Sequence, residues 1–187
     1  MVDEPRKIRD AEALAALANP FRARIIDALQ VDGPSTASTL AARSGQAVGS
    51  ASHHLKVLAA AGLVEEAPEL ARDRRERWWR LVTRTWQWSR TDLEDTAART
   101  ASEAAEALQL RRHYERAQDW LDNQDAAGPW ADAAFVSTTW LRLTPEELLE
   151  LGVEMRELFA RWRERVTTDE ERSEPVYMFA RGFPAQP

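Results

Sequence analysis

The stretch Gly49-Ser50-Ala51-Ser52-His53-His54-Leu55-Lys56 decides how this chain is read. At 100° per residue, Ala51, Leu55 and Leu58 fall within one narrow arc of a helix, the side that a core would cover. Ser50, His53, Lys56 and Val57 fall on the far side, with Gly49 close by, and Gln46 precedes the helix in the same direction. That face is small, hydrogen-bonding and uncharged except for Lys56. An ordinary amphipathic helix with a polar solvent face has the same periodicity, so the flanking sequence has to separate the two readings.

Upstream, residues 11–17 are Ala- and Leu-rich and predict a helix that Asn19-Pro20 breaks. Pro20 suits the first turn of a second helix, where its missing N–H costs nothing. Phe21, Ile25, Ile26 and Leu29 follow at helical spacing, and Asp32-Gly33-Pro34 ends the run. Ser35 or Thr36 can cap a third helix over residues 37–43. Ser44-Gly45 makes a tight turn into the fourth, residues 47–61, which Gly62 stops. Downstream, Leu63-Val64 opens a strand, residues 68–75 are a polar loop, and residues 77–82 are a second strand rich in Trp and Val. Two short helices joined by a tight turn and followed by a hairpin predict a winged helix-turn-helix.

In that setting the far face of the fourth helix suits entry into the major groove of DNA. Gly49 and Ser50 let the backbone approach closely. Gln46, Ser50 and His53 can each donate and accept at base edges. Ser52, His54 and Lys56 flank that face and can meet phosphate. Arg72, Arg74, Arg75 and Arg77 cluster at the tip of the hairpin, where they can track phosphates or enter a narrow minor groove.

Three separated motifs in residues 10–85 carry a family resemblance. Leu17-Ala18-Asn19-Pro20-Phe21-Arg22-Ala23-Arg24-Ile25-Ile26 resembles the opening of ArsR-type (arsenical-repressor-like) winged helix regulators. Ser52-His53-His54-Leu55-Lys56-Val57-Leu58 followed by Ala61-Gly62-Leu63-Val64 is similar to that family's recognition helix and the start of its wing. Arg77-Trp78-Trp79-Arg80-Leu81 resembles the returning wing strand, where the aromatic is more usually Tyr. The resemblance implies a homodimer that binds an imperfect palindrome in double-stranded DNA and represses transcription. The chain departs from the metal-sensing members: it has no cysteine, and Asp119, Asp122 and His113 are not at paired ligand spacing. No metal and no cofactor are expected.

The formal charge of −6 looks wrong for a nucleic-acid binder, but it is unevenly spread. Residues 1–90 carry 14 Lys and Arg against 11 Asp and Glu, whereas residues 91–187 carry 11 against 20. Only the first half is suited to phosphate. The overall acidity keeps an alternative in view, a winged helix that binds proteins and not DNA. The polar residues 1–10 do not resemble a signal peptide, and no apolar run approaches the roughly 20 residues that span a bilayer. With no cysteine to oxidise, a cytoplasmic location is expected.

Residues 92–124 contain neither Pro nor Gly and predict one long helix, roughly 45–50 Å at 1.5 Å per residue. Leu93, Ala97, Ala101, Ala104, Leu108, Tyr114 and Leu121 mark a broad stripe along it, the expected dimerisation surface. Beyond Gly128-Pro129, residues 135–143 alternate as a strand would. Thr144-Pro145-Glu146-Glu147 opens another helix, and residues 176–183 are a last strand. The expectation is a mainly α chain with small β: a winged helix-turn-helix in residues 1–90, then a long dimerisation helix and a small C-terminal α/β extension in residues 91–187.

Eight tryptophans are many for this length. Trp86, Trp88, Trp120 and Trp140 could line a pocket for an apolar or aromatic small-molecule effector. Core and interface packing, where Trp is common, is the favoured reading of them. Glu146, Glu147, Glu150, Glu154 and Glu157 lie on exposed helical turns and read as solvation. No nucleophile–base order, phosphate-binding glycine loop or bridging cluster points to catalysis, so no enzyme activity is expected.

Overall fold

The computed structural model describes residues 6–73, 76–165 and 173–186. The chain divides into two compact units, one running to Arg112 and one starting at His113.

The first unit begins with β1 (Arg6–Lys7), α1 (Ala11–Leu17) and α2 (Pro20–Asp32). Local chemistry sets the α1–α2 corner. The Asn19 side chain accepts from the N–H groups of Phe21 and Arg22, at 3.0 and 3.1 Å, and Pro20 occupies the first turn. Arg22 reaches back to donate to the carbonyls of Ala16 and Ala15, at 2.7 and 2.8 Å, and so satisfies the orphan acceptors at the end of α1. Gly33, at φ 75°, ends α2 in a conformation that L side chains rarely adopt.

β2 (Ser35–Thr36) leads into α3 (Ala37–Ser44), which Thr36 caps by accepting from the Thr39 N–H at 3.3 Å. Gly45, left-handed at φ 66°, closes α3 and turns the chain toward α4 (Val48–Ala60). β3 (Val64–Glu66) and β4 (Trp78–Leu81) then form an antiparallel hairpin with Val64 opposite Leu81 and Glu66 opposite Trp79. Two features go beyond the sequence reading. β2 pairs with the far edge of β4, so the sheet has three strands in the order β2-β4-β3. β1 pairs in parallel with β5 (Trp86–Gln87).

One core joins these elements. Leu14, Ile25, Leu29, Leu40, Leu55, Leu58 and Leu63 are fully buried in it, and Ile8 and Leu93 close it from outside the helix-turn-helix. Trp79 is buried there too, and Trp86 and Trp88 pack against its edge. Each such leucine contributes a few kcal/mol, since truncation to Ala typically costs about 2–5 kcal/mol.

α5 (Thr96–Asn123) is the predicted long helix, started by Asp95, which accepts from the Ala97 N–H at 3.1 Å. Its expected single stripe resolves into two faces. Leu93 lies just before the helix and is fully buried; Ala98, Ser102, Ala105 and Leu108 are buried, with Ala101 half-buried beside them. Leu93 and Ala98 belong to the first unit's own core, with Ala101 packed against it, and Leu108 is likewise buried within the chain, so neither leucine is the open surface expected of it. Ala97, Ala104, Tyr114 and Leu121 are exposed. Tyr114 and Leu121 belong to a second face with Ala107, Leu110 and Ala117, at spacings of three and four residues. An alanine-rich helix carries apolar residues on both sides, and periodicity alone does not say which side its own chain covers.

In the second unit, α6 (Pro129–Ala133) and α7 (Pro145–Arg163) follow. A capping box starts α7: Thr144 accepts from the Glu147 N–H at 3.2 Å, and the Glu147 carboxylate accepts from the Thr144 N–H at 2.7 Å. Residues 135–143 and 176–183, predicted as strands, belong to no sheet among the described residues. Among the described residues no helix is long and apolar enough to cross a membrane.

Candidate nucleic-acid interface

The buried arc of α4 is the predicted one: Ala51, Leu55 and Leu58 are at or near zero exposure. Their burial fixes what the opposite face presents. Gly49, His53 and Lys56 are exposed, and Ser50 and Ser52 are half-exposed. Val57, expected on the same face, instead packs partly against the core.

The start of α4 is open. Ala47 is its N-cap and supplies no side-chain acceptor, so the first-turn N–H groups point outward as a weak positive pole. A Cβ built on Gly49 meets nothing within 4 Å, and its φ is not positive. Neither packing nor backbone conformation within the chain therefore asks for glycine there. Ser50 and Gln46 are brought together, with the Ser50 hydroxyl donating to the Gln46 side-chain oxygen at 3.2 Å while the Gln46 amide donates to the Gly45 carbonyl at 3.2 Å. Val48, 49% exposed on the first turn, was not singled out by sequence reasoning. An exposed apolar side chain beside polar readers suits a thymine methyl group. The available signal was its place immediately before Gly49 and Ser50.

The two histidines do different things. His53 is exposed. His54 is half-buried, its ring stacked on Phe21 at 5.8 Å between centroids, and its Nδ1 is buried without a hydrogen-bond partner. Burial holds the His54 imidazole below the usual histidine range, and the nearby charges of Arg22 and His53 push the same way. A stacked, half-buried ring packs the helix against α2, whereas Lys56 is exposed and Ser52 half-exposed on α4.

At the wing, Arg74 and Arg75 lie outside the described residues. Arg72 is exposed, and its backbone N–H donates to the Glu76 carboxylate at 2.9 Å. That bond is the main reason the Glu76 carboxyl sits below its usual range. Arg77 pairs with Glu66 at 3.4 Å, both side chains being about half exposed or more. Such a surface pair is worth about 0–1 kcal/mol, little enough to be exchanged for a phosphate. Arg80 is held by Glu65 at 2.7 Å and by Glu69, so the base of the wing is internally neutralised.

The first unit is a winged helix-turn-helix. Residues 17–67, from the end of α1 through β3, match the family described as a helix-turn-helix domain. No curated protein matches the chain. Among solved structures it is similar to the homodimeric winged helix-turn-helix DNA-binding domain of a possible ArsR-family transcriptional regulator from Mycobacterium bovis. The identity is 23% over 59% of this chain and 81% of that one, with a TM-score of 0.34. It is also similar to a mutant of ZitR from Lactococcus lactis, at 13% identity over 82% of this chain and 75% of that one, with a TM-score of 0.28.

The tryptophans of the expected effector pocket are divided between the units: Trp86 and Trp88 belong to the first, Trp120 and Trp140 to the second. Trp88 donates to the Glu106 carboxylate at 3.1 Å, a tie between the wing's exit and α5. Among the described residues no group of three or more His, Cys, Asp or Glu is arranged to hold a metal ion.

Proposed function

We propose that the protein is a DNA-binding transcriptional regulator that acts as a homodimer. The winged helix-turn-helix would place α4 in the major groove, with Gln46, Val48, Gly49, Ser50 and His53 toward base edges and Ser52, Lys56, Arg72 and Arg77 toward phosphate. Gly49 carries this reading. A glycine with open space around it, on the first turn of a helix, with no positive φ to justify it, is explained by an outside surface that must come close. The second face of α5, from Ala107 to Leu121, is the surface assigned to the partner subunit. Repression from an imperfect palindrome is the regulatory sense that the resemblance to ArsR-type regulators favours.

Selection of bound duplexes from a random pool by the full-length protein tests the proposal. The expected product is a palindrome whose half-sites lie about one helical turn apart. A pool that shows no enrichment even at low salt would sink it and favour a protein-binding role for the wing.

A further inference from the structure

Gln46 enters α4 with its hydrogen bonding already set. Its backbone N–H donates to the Ala41 carbonyl at 2.9 Å, across the left-handed Gly45. Its side chain is held as well. The amide nitrogen donates to the Gly45 carbonyl at 3.2 Å, and the amide oxygen accepts from the Ser50 hydroxyl at 3.2 Å. A backbone carbonyl can only accept, so the Gly45 bond decides which end of the amide is nitrogen and which is oxygen. The turn does not need this side chain. The N–H groups of Gly45 and Gln46 already close α3 onto the carbonyls of Ala42 and Ala41. Gln46 and Ser50 are both half-exposed, so an outside surface can reach them.

What the amide has left is specific. A carboxamide carries two N–H donors and two acceptor lone pairs. The bonds to Gly45 and Ser50 use one of each. One N–H and one lone pair remain, on neighbouring atoms of one plane. In the major groove only adenine offers the matching pair, an acceptor at N7 beside a donor at N6. Guanine offers two acceptors, N7 and O6, which a single remaining N–H cannot serve together. Cytosine and thymine each offer one hydrogen-bonding group there, so half of the amide would lose its water without gaining a partner.

We propose that Gln46 is a specificity-determining residue for one adenine in the sequence that α4 reads, and that Ser50 is the residue that positions it. The inference rests on the DNA-binding reading above and adds to it the identity of a base. Ser50 acts through Gln46: its hydroxyl keeps the amide oxygen on the α4 side. Without that hydroxyl the amide is free to turn about its terminal torsion. A turned amide presents both N–H groups, which guanine accepts. The two bonds also remove part of the rotamer freedom that a glutamine otherwise loses on binding, so less is lost when the base arrives.

The test uses the full-length chain and the duplex it selects from a random pool. Replacing each adenine of that duplex in turn by 7-deazaadenine removes the N7 acceptor and leaves base pairing intact. At one adenine per half-site the parent should lose affinity by about three- to tenfold, the effect of one hydrogen bond. Gln46→Ala should bind more weakly throughout and show no further loss at that position. Ser50→Ala should fold like the parent yet lose part of its preference for adenine over guanine there. Ser50→Thr keeps the hydroxyl and should restore that preference, which a purely structural role for Ser50 would leave untouched. If no adenine is sensitive, or if Gln46→Ala keeps the parent's sensitivity, this inference falls and the DNA-binding reading stands. If Ser50→Ala keeps the full preference for adenine, the positioning role falls. A parent protein that selects no duplex overturns the DNA-binding reading and this inference together.

Discussion

Gly49 is the second residue of α4, where alanine would ordinarily favour the helix. Its Cβ position is empty and its backbone is unstrained, so Gly49→Ala should stabilise the folded chain by about 0.4–1 kcal/mol, through a less flexible unfolded state. The same methyl group would stand between α4 and the floor of the groove. DNA affinity should therefore fall, by about tenfold or more, while the melting temperature rises. A rise in melting temperature with unchanged affinity would remove the close-approach role. His54 gives a different signature from the same helix. Its imidazole is held neutral by burial, with Arg22 and His53 adding repulsion. A folded pKa below the unfolded value of about 6.5 means that the unfolded chain binds the proton more readily. The stabilisation is therefore complete above about pH 6.5 and is lost as pH falls through that value toward the folded pKa. His54→Phe keeps a ring against Phe21 and removes the titration. It should flatten the loss of thermal stability between pH 7.5 and 5.5, and an unchanged pH profile would show that another group sets it.

At the scale of elements, α5 makes the sharpest contrast, because its two faces should fail differently. Leu108 is buried within the chain, so Leu108→Ala should cost about 2–5 kcal/mol in denaturant unfolding. Leu110 and Tyr114 are exposed at 53% and 68%. The pair Leu110→Glu and Tyr114→Glu should leave the first unit's unfolding within about 1 kcal/mol of the parent, since substitutions at exposed positions usually change stability little. It should nonetheless shift the protein toward monomer in sedimentation; a stable dimer in that variant would move the interface off this face. The same helix shows what sequence reading can reach. Its existence and length were legible because residues 92–124 lack Pro and Gly, but the division of its apolar residues depends on which neighbours cover them. The corners of the helix-turn-helix were legible for the opposite reason: Asn19, Pro20, Gly33, Thr36 and Gly45 act through bonds and torsions within a few residues. Two-residue strands such as β1 and β2 have no periodicity to detect, and only tertiary pairing creates them. On α4 the core arc of Ala51, Leu55 and Leu58 was readable. The stacking of His54 on Phe21 and the partial burial of Val57 were not, because the covering groups come from elsewhere in the chain.

The whole molecule joins a unit with a closed core to one without, and that difference should govern how it unfolds. The first unit buries Leu14, Ile25, Leu40, Leu55 and Leu58 completely, and its transition should be independent of protein concentration. The second has no buried apolar residue among those described, so its stability should come from association and follow mass action. A tenfold rise in concentration is worth about 1.4 kcal/mol per dimer, which for a transition of this size raises the midpoint by about 2–4 °C. Far-ultraviolet circular dichroism over a hundredfold concentration range should show one transition that moves, carrying the helical signal of α7 and the end of α5, and one that stays. If neither midpoint moves, the second unit draws its stability from within one chain. If both move together, association also supports the winged helix-turn-helix.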